Sequence, residues 1–241
     1  MLDLASAAPV LAQVEIRDRS EASCISQNKL CPGWIVDNFD RYTDPLAQHL
    51  YLVLVSVAIG FVIAFVLALI ARRRRWLVGP IVGLTGVLYT LPSLAVFFLL
   101  LPITGRGSTT AIIALTAYTL QIIFRNIVLG LQNVPAEARD AGLGVGLTDR
   151  QLLWRVELPL AIPDIIAGLR IATTSTVGLA TLAVFAGAGG LGEQIVSGSN
   201  ITFKTGVVAA GGLAILMAFV LDVLLLFVQW ALTPWRRAQP A

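Results

Sequence analysis

"LAQHLYLVLVSVAIGFVIAFVLALIARRRR", Leu46–Arg75, decides the fold. No Asp, Glu, Lys or Arg occurs between Leu46 and Ala71, and the run closes on Arg72, Arg73, Arg74 and Arg75. A hydrocarbon layer about 30 Å thick is crossed by roughly 20 helical residues, so this stretch is long enough to span it. A spanning segment must satisfy its backbone hydrogen bonds internally, as a helix does. Arginine accumulates on the cytoplasmic side of a membrane, so the block after Ala71 marks the inner end.

Outward from that segment the pattern repeats. Trp76–Leu101, Thr109–Leu131, Ile165–Ala186 and Gly206–Leu232 are further apolar runs of spanning length. The whole chain is 57% apolar and 13% charged, with mean hydropathy +0.83, whereas soluble domains carry about a quarter charged residues. The expectation is an all-α, polytopic membrane protein with five transmembrane helices. Alternate connections place Arg72–Arg75, then Arg139, Arg150 and Arg155, then Arg236 and Arg237 on one side, and leave only Arg106 and Lys204 for the opposite loops. The N-terminus is therefore expected outside and the C-terminus inside. The net charge of +3 and pI of 9.2 reflect this topology and not nucleic-acid binding. Residues 1–45 form an extracytoplasmic tail, 46–233 the membrane domain with a cytoplasmic loop at 132–164, and 234–241 a cytoplasmic tail.

The N-terminal tail is acidic near the membrane, at Asp37, Asp40 and Asp44, and its opening "MLDLASAAPVLAQ" lacks a basic start. Translocation by the first span fits better than a cleaved signal peptide. Cys24 and Cys31 are the only cysteines. On an oxidising face they are expected to form a disulfide, with two free thiols as the alternative. No metal site is expected, because no further Cys or His lies near them. Trp34, Phe39 and Tyr42 suit an interfacial segment, and His49, the only histidine, is expected as an interfacial polar residue at the span entrance.

The loop 132–164 breaks the apolar pattern. Pro135 starts "AEARDAGLGVGL", with Glu137 and Asp140 near the positive end of a short helix and glycines punctuating its finish. A second amphipathic stretch, "DRQLLWRVEL", is expected to end at Pro159, with Pro163 opening the next span. Gly142, Gly144 and Gly146 leave little bulk at the turn, so another surface can approach. Helix, turn and returning helix make a protruding docking element, or else a hairpin on the membrane surface without a partner.

These residues resemble the E-A-A-x-x-x-G-x9-I-x-L-P motif of ATP-binding-cassette importer permeases. Here Asp140, Ala141, Gly142, Gly146, Val156, Leu158 and Pro159 reproduce the whole spacing, with Asp for Glu at the first position and Gly for Ala at the third. Glu137 and Ala138 offer another start, but Leu143 then takes the glycine position. Outside the loop, "YTLPSLAVFFLLLPITGRGSTTAIIAL" (Tyr89–Leu115), "FRNIVLGL", "AGLRIAT" and "GAGGLGEQI" are similar to permeases for glycine betaine, carnitine, choline and proline, which often have Gln where Tyr89 stands. The resemblance implies a type I (MetI-like) importer permease fold in the cytoplasmic membrane. It implies a pair of permeases, identical or paralogous, an extracytoplasmic binding protein and a dimer of separate ATPase subunits. Residues Glu137–Gly144 would form the coupling helix, with Arg139 and Leu143 among them. No cofactor is expected on this chain, because it lacks a G-x-x-x-x-G-K-[ST] loop and ATP–Mg would sit on the ATPase. The chain is thus expected to be a translocation subunit and not an enzyme.

Pro92 must kink or break the second span, with Thr90 and Ser93 available to take released carbonyls or face the pathway. Candidate pathway-lining residues are Tyr89, Thr90, Pro92, Ser93, Tyr118, Gln121, Thr173 and Thr176, polar or aromatic groups within spans. "GAGGLG" (Gly187–Gly192) fits a glycine-rich re-entry and not a nucleotide loop, because it follows a membrane span. Gly79 and Gly83 allow a close helix contact or are incidental. Arg125 and Asp222 either pair or separately reach the interface, and the second is expected. The same machine carrying another small solute, such as an amino acid, remains an alternative. A stand-alone channel or secondary transporter is a third reading, against which the polar loop speaks.

Overall fold

The computed structural model describes residues 29–237. Cys24, and with it the expected Cys24–Cys31 bond, lies outside the described residues. Described residues form helices α1 (Pro32–Asp37), α2 (Asp40–Arg73), α3 (Val78–Thr90), α4 (Ser93–Thr104), α5 (Ser108–Gln132), α6 (Ala136–Gly144), α7 (Asp149–Leu152), α8 (Leu158–Ala180), α9 (Leu191–Asn200) and α10 (Lys204–Leu232), with no strand among them. Short 3₁₀ turns cover Arg75–Leu77, Thr181–Ala186 and Pro234–Arg237, and a π-turn covers Leu153–Glu157.

Among the described residues, four helical paths are long and apolar enough to cross a membrane: α2, α5, α10 and the continuous run Asp149–Ala186. The fifth crossing is broken. The segments Arg75–Thr90 and Ser93–Thr104 meet at 95°. The expected single span Trp76–Leu101 is therefore two half-helices. Leu91 precedes a proline and sits extended (φ −64°, ψ 137°), the conformation that proline imposes on its neighbour. The pair still crosses. α3 starts beside the arginine block, whereas Gly107, just past α4, donates to the Ala186 carbonyl at the far end of the bundle (2.8 Å).

The ends of the bundle are distinct. At the inner end, Arg72 meets Glu157. At the outer end, Gln48 of α2 donates Nε2 to the Ala188 carbonyl (2.6 Å) and accepts from the Gly190 amide (3.3 Å). His49 is fully buried there, its Nε2 3.1 Å from the Val177 carbonyl. It is thus a packed core residue and not an interfacial one. Its neighbour is Gly190, where a Cβ would stand 3.2 Å from Nδ1; helix packing against the glycine turn closes this site to solvent. Trp34 and Tyr42 are likewise buried against this chain, Trp34 edge-on to Phe203 with ring centroids 4.7 Å apart.

Small residues bring the central helices together. A Cβ on Gly60 would meet Thr119 Oγ1 of α5, and one on Gly168 would meet Asn126 Cβ. Close backbone approach replaces hydrophobic drive as the source of helix association in lipid. Gly79 and Gly83 have nothing within 4 Å of such a Cβ, so they make no close helix contact among the described residues. Only 11% of the apolar stretch of α10 is buried, which leaves Ile215, Phe219 and Phe227 facing outward, as a membrane helix does.

Asp222 of α10 does not pair with Arg125. Arg170 of α8 donates Nε and Nη2 to its two carboxylate oxygens, each at 2.8 Å. Arg125 is exposed. Asp164, bonded to Asn133 at 3.2 Å, sits near the inner end, so Arg170 lies about 9 Å deeper at 1.5 Å per residue. A bidentate pair neutralises two charges that lipid would otherwise expose. In a double-mutant cycle of Arg170→Gln and Asp222→Asn, unfolding in detergent is expected to give a coupling energy of about 1 kcal/mol or more. Additive effects would show that the pair does not hold α8 to α10.

Candidate coupling loop and membrane pathway

Pro135 precedes α6 with φ −55° and Glu137 occupies its first turn, an arrangement suited to the positive end of a helix. The helix ends in two reverse bonds: Gly146 N–H to the Leu143 carbonyl (2.9 Å) and Leu147 N–H to the Gly142 carbonyl (3.1 Å). This is a glycine-terminated Schellman cap, and Gly146 has the φ of +85° that it requires. Space around Gly146 is open, so backbone conformation, not bulk, demands a glycine. Gly142 differs. It is buried, and a Cβ there would stand 2.7 Å from Leu152 Cδ1. Its small size serves packing inside the loop rather than approach by a partner.

The returning arm starts at a capping box. Thr148 N–H donates to Gln151 Oε1 (2.9 Å) and Gln151 N–H donates to Thr148 Oγ1 (3.4 Å). The arm does not end at Pro159. The π-turn Leu153–Glu157 leads directly into α8, which carries Pro159 near its start and Pro163 inside. Proline lacks an N–H and crowds the preceding turn; a wider π-turn accommodates the change.

Glu157 ties the loop to the bundle. It is buried at 5% exposure. Its Oε2 accepts from Arg72 Nε at the end of α2 (2.5 Å), and its Oε1 lies 3.3 Å from Arg139 Nε of α6, an ion pair without hydrogen-bond alignment. Arg139 Nη2 donates to the Leu131 carbonyl in the last turn of α5. One carboxylate thus joins α2, α6 and the start of α8. Beside it lies a cavity of about 780 Å³ lined by Arg72, Arg73, Arg75, Arg139, Asp149 and Glu157, with Ala68 and Ala71 behind.

The motif residues divide into two groups. Glu137, Asp140, Ala141, Leu143, Gly144 and Gly146 are exposed, and Ala138 and Arg139 half-buried. Val145 (79%) and Leu143 (51%) are exposed apolar residues near the end of α6. Val156 packs toward Gly142, Leu158 is buried, and Pro159 helps to open α8. Glu157 and Val145 were missed in the sequence. A carboxylate inside the apolar run "LLWRVELPL" was the available signal for Glu157.

The pathway candidates also divide. Tyr89, Thr90, Leu91 and Pro92 are exposed at the break, with Ser93 half-buried. Thr90 Oγ1 donates to the Val87 carbonyl (2.8 Å), while the freed Leu91 carbonyl accepts from Tyr118 OH (2.7 Å). The Tyr89 and Tyr118 rings meet edge-on at 6.0 Å. Gln121 accepts from Thr85 Oγ1. Thr173 and Thr176 are buried at 3% and 1% exposure, and Thr176 Oγ1 donates to the Ala172 carbonyl (2.7 Å). They do not line an open path, because α8 turns that face into the bundle.

A five-crossing helical bundle with a broken second crossing and a polar helix–turn–helix tied to its first span is a membrane transport permease. Residues 56–237 match the family described as binding-protein-dependent transport system inner membrane component, and the chain belongs to that family. It is 35% identical over 187 residues to the glycine betaine/carnitine/choline transport system permease protein OpuCB of Bacillus subtilis, covering 78% of this chain and 86% of that protein. It is 37% identical over 210 residues to the osmoprotectant import permease protein OsmW of Salmonella typhimurium, covering 83% and 96%. Among solved structures, the MetNI methionine ABC transporter in an inward-facing form superposes with a TM-score of 0.73 at 21% identity, covering 80% of this chain and 96% of that one. The importer-permease resemblance and the MetI-like fold are borne out, and the chain is a multi-pass protein of the cytoplasmic membrane.

Proposed function

We propose that this chain forms the translocation pathway of an ATP-driven importer for osmoprotectants of the quaternary-amine class: glycine betaine, choline and carnitine, with proline as a further cargo. A second permease copy or a paralogue completes the pathway. An extracytoplasmic binding protein delivers the solute, and a pair of separate ATPase subunits binds ATP–Mg. The exposed Leu143 and Val145 at the end of α6, on a helix that also exposes Glu137 and Asp140, support docking of the ATPase. The Arg139–Glu157–Arg72 link lets displacement of α6 reach α2 without passing through flexible loop. The names of the relatives supply the cargo class.

The test is purification of the chain from its membrane with whatever accompanies it. The complex is then reconstituted with the binding protein. A co-purifying ATPase that accelerates on addition of glycine betaine is the expected result. An ATPase stimulated by an amino acid instead would keep the machine and replace the cargo. A chain that repeatedly purifies folded and alone would remove the docking role from α6.

A further inference from the structure

We propose that Tyr89 and Tyr118 form a quaternary-ammonium station in the membrane part of the importer, at the break between α3 and α4. The proposal rests on the import reading above and assigns that cargo a place in this chain.

The first step is the depth of the break. α3 has 13 residues and begins at the arginine-rich end, and α4 has 12 and finishes at the outer turn. At 1.5 Å per residue each arm is about 20 Å long, so Leu91 and Pro92 sit well inside the membrane. Residues 89–92 are all exposed there. Non-helical backbone at this depth is tolerated only against protein or a water-filled cavity, because lipid cannot bond its polar groups. Protein or water suits the break better than lipid does, and the station is placed on the pathway side of a permease assembly.

The second step is chemistry. Tyrosine normally gathers at membrane interfaces, yet Tyr89 is 44% exposed at mid-depth. Tyr118 is held beneath it by its hydroxyl, which donates to the Leu91 carbonyl (2.7 Å). With that hydroxyl engaged, Tyr118 offers structure more than hydrogen bonding, and its ring supports Tyr89 edge-on at 6.0 Å and 67°. Neither α3 nor α4 carries an Asp, Glu, Lys or Arg. A carboxylate here would hold any cation, sodium and potassium included. A quaternary ammonium has no N–H to donate and a methyl-covered surface, and an aromatic face attracts it without a counter-charge. The attraction is weak enough for release, as a transit position needs. Tyr89 supplies the open ring; Tyr118 is a positioning residue.

The experiment uses the whole complex, reconstituted in vesicles with its ATPase and binding protein, with radiolabelled choline and glycine betaine as probes. Tyr89→Phe is expected to import at close to the normal rate, and Tyr89→Leu about 10-fold more slowly, between the size of an exposed and of a fully desolvated cation–π contact. Phenylalanines of increasing ring fluorination at position 89 are expected to lower uptake stepwise as the ring quadrupole weakens. Normal import by Tyr89→Leu would overturn the proposal. So would a slow Tyr89→Leu combined with indifference to fluorination, because the ring would then act by shape. If the unaltered complex imports no quaternary amine but couples ATP hydrolysis to another solute, the cargo assignment itself fails, and that outcome is visible before any variant is made.

Discussion

Glu157→Ala is expected to leave the ATPase turning over while solute import per ATP falls at least about 10-fold, within the range of ordinary intersite coupling energies. The carboxylate is buried and neutralises two arginines that belong to different moving parts: Arg72 at the end of α2 and Arg139 on α6. Removing one partner of a buried ion pair leaves charge without compensation and costs about 3–5 kcal/mol. The lower end applies here, because the Arg72 and Arg139 side chains keep 21% and 28% of their surface exposed. The two guanidinium groups would then repel across the vacated site, and α6 would keep the bond from Arg139 to the Leu131 carbonyl of α5 together with the packing of Gly142 against Leu152 within the loop. The measurement is the ratio of solute imported to ATP hydrolysed in reconstituted vesicles. Glu157→Asp, which keeps the charge on a shorter arm, should recover part of the ratio. An unchanged ratio in Glu157→Ala would show that force reaches the spans by another route.

The spanning segments were legible because their signal is additive: some twenty apolar residues in a row have few other uses, and the arginines orient them. The helix–turn–helix loop was legible because its residues follow a long spaced motif. What the sequence concealed depends on rotation about helix axes and on contacts between distant segments. Asp222 had two arginines within plausible reach; only the facing of α8 and α10 selects Arg170 over Arg125. Pro92 announced a disturbance, but the 95° turn is stabilised by Tyr118 on another helix, which takes the carbonyl that the break releases. Pro159 read as a stop, yet the π-turn before it carries the helix through. Thr173 and Thr176 resembled pathway residues by type, and the bundle buries them. Gly146 was read as absent bulk, whereas its positive φ is what the cap needs.

Gly192→Ala is expected to be more damaging than the same methyl addition at Gly60 or Gly83. A Cβ at Gly192 would lie against the Thr181 carbonyl and 2.7 Å from its carbon, both backbone atoms of the 3₁₀ turn that ends the fourth crossing. Side chains can rotate from such a contact, but a hydrogen-bonded turn cannot, so α9 must lift from its seat. Overpacking of this kind costs about 1–3 kcal/mol and occasionally more, and the upper end applies because both surfaces are backbone. Gly60→Ala should cost less, since the atom it meets belongs to the Thr119 side chain. Gly83→Ala should be neutral or stabilising by up to about 1 kcal/mol, because the site is open and alanine favours helix. Thermal unfolding of the three variants in one detergent ranks them directly. The functional consequence follows from position: α9 starts at Gly190–Leu191, where Gln48 clamps the glycine turn. Lifting α9 would loosen the outer mouth while leaving the docking loop intact at the other end. Gly192→Ala should therefore lose import in proportion to lost folded protein and keep its ATPase partner on the fraction that folds. A Gly192→Ala protein as stable as the parent would mean that α9 is not seated on Thr181, and the clamp at Gln48 would lose its support.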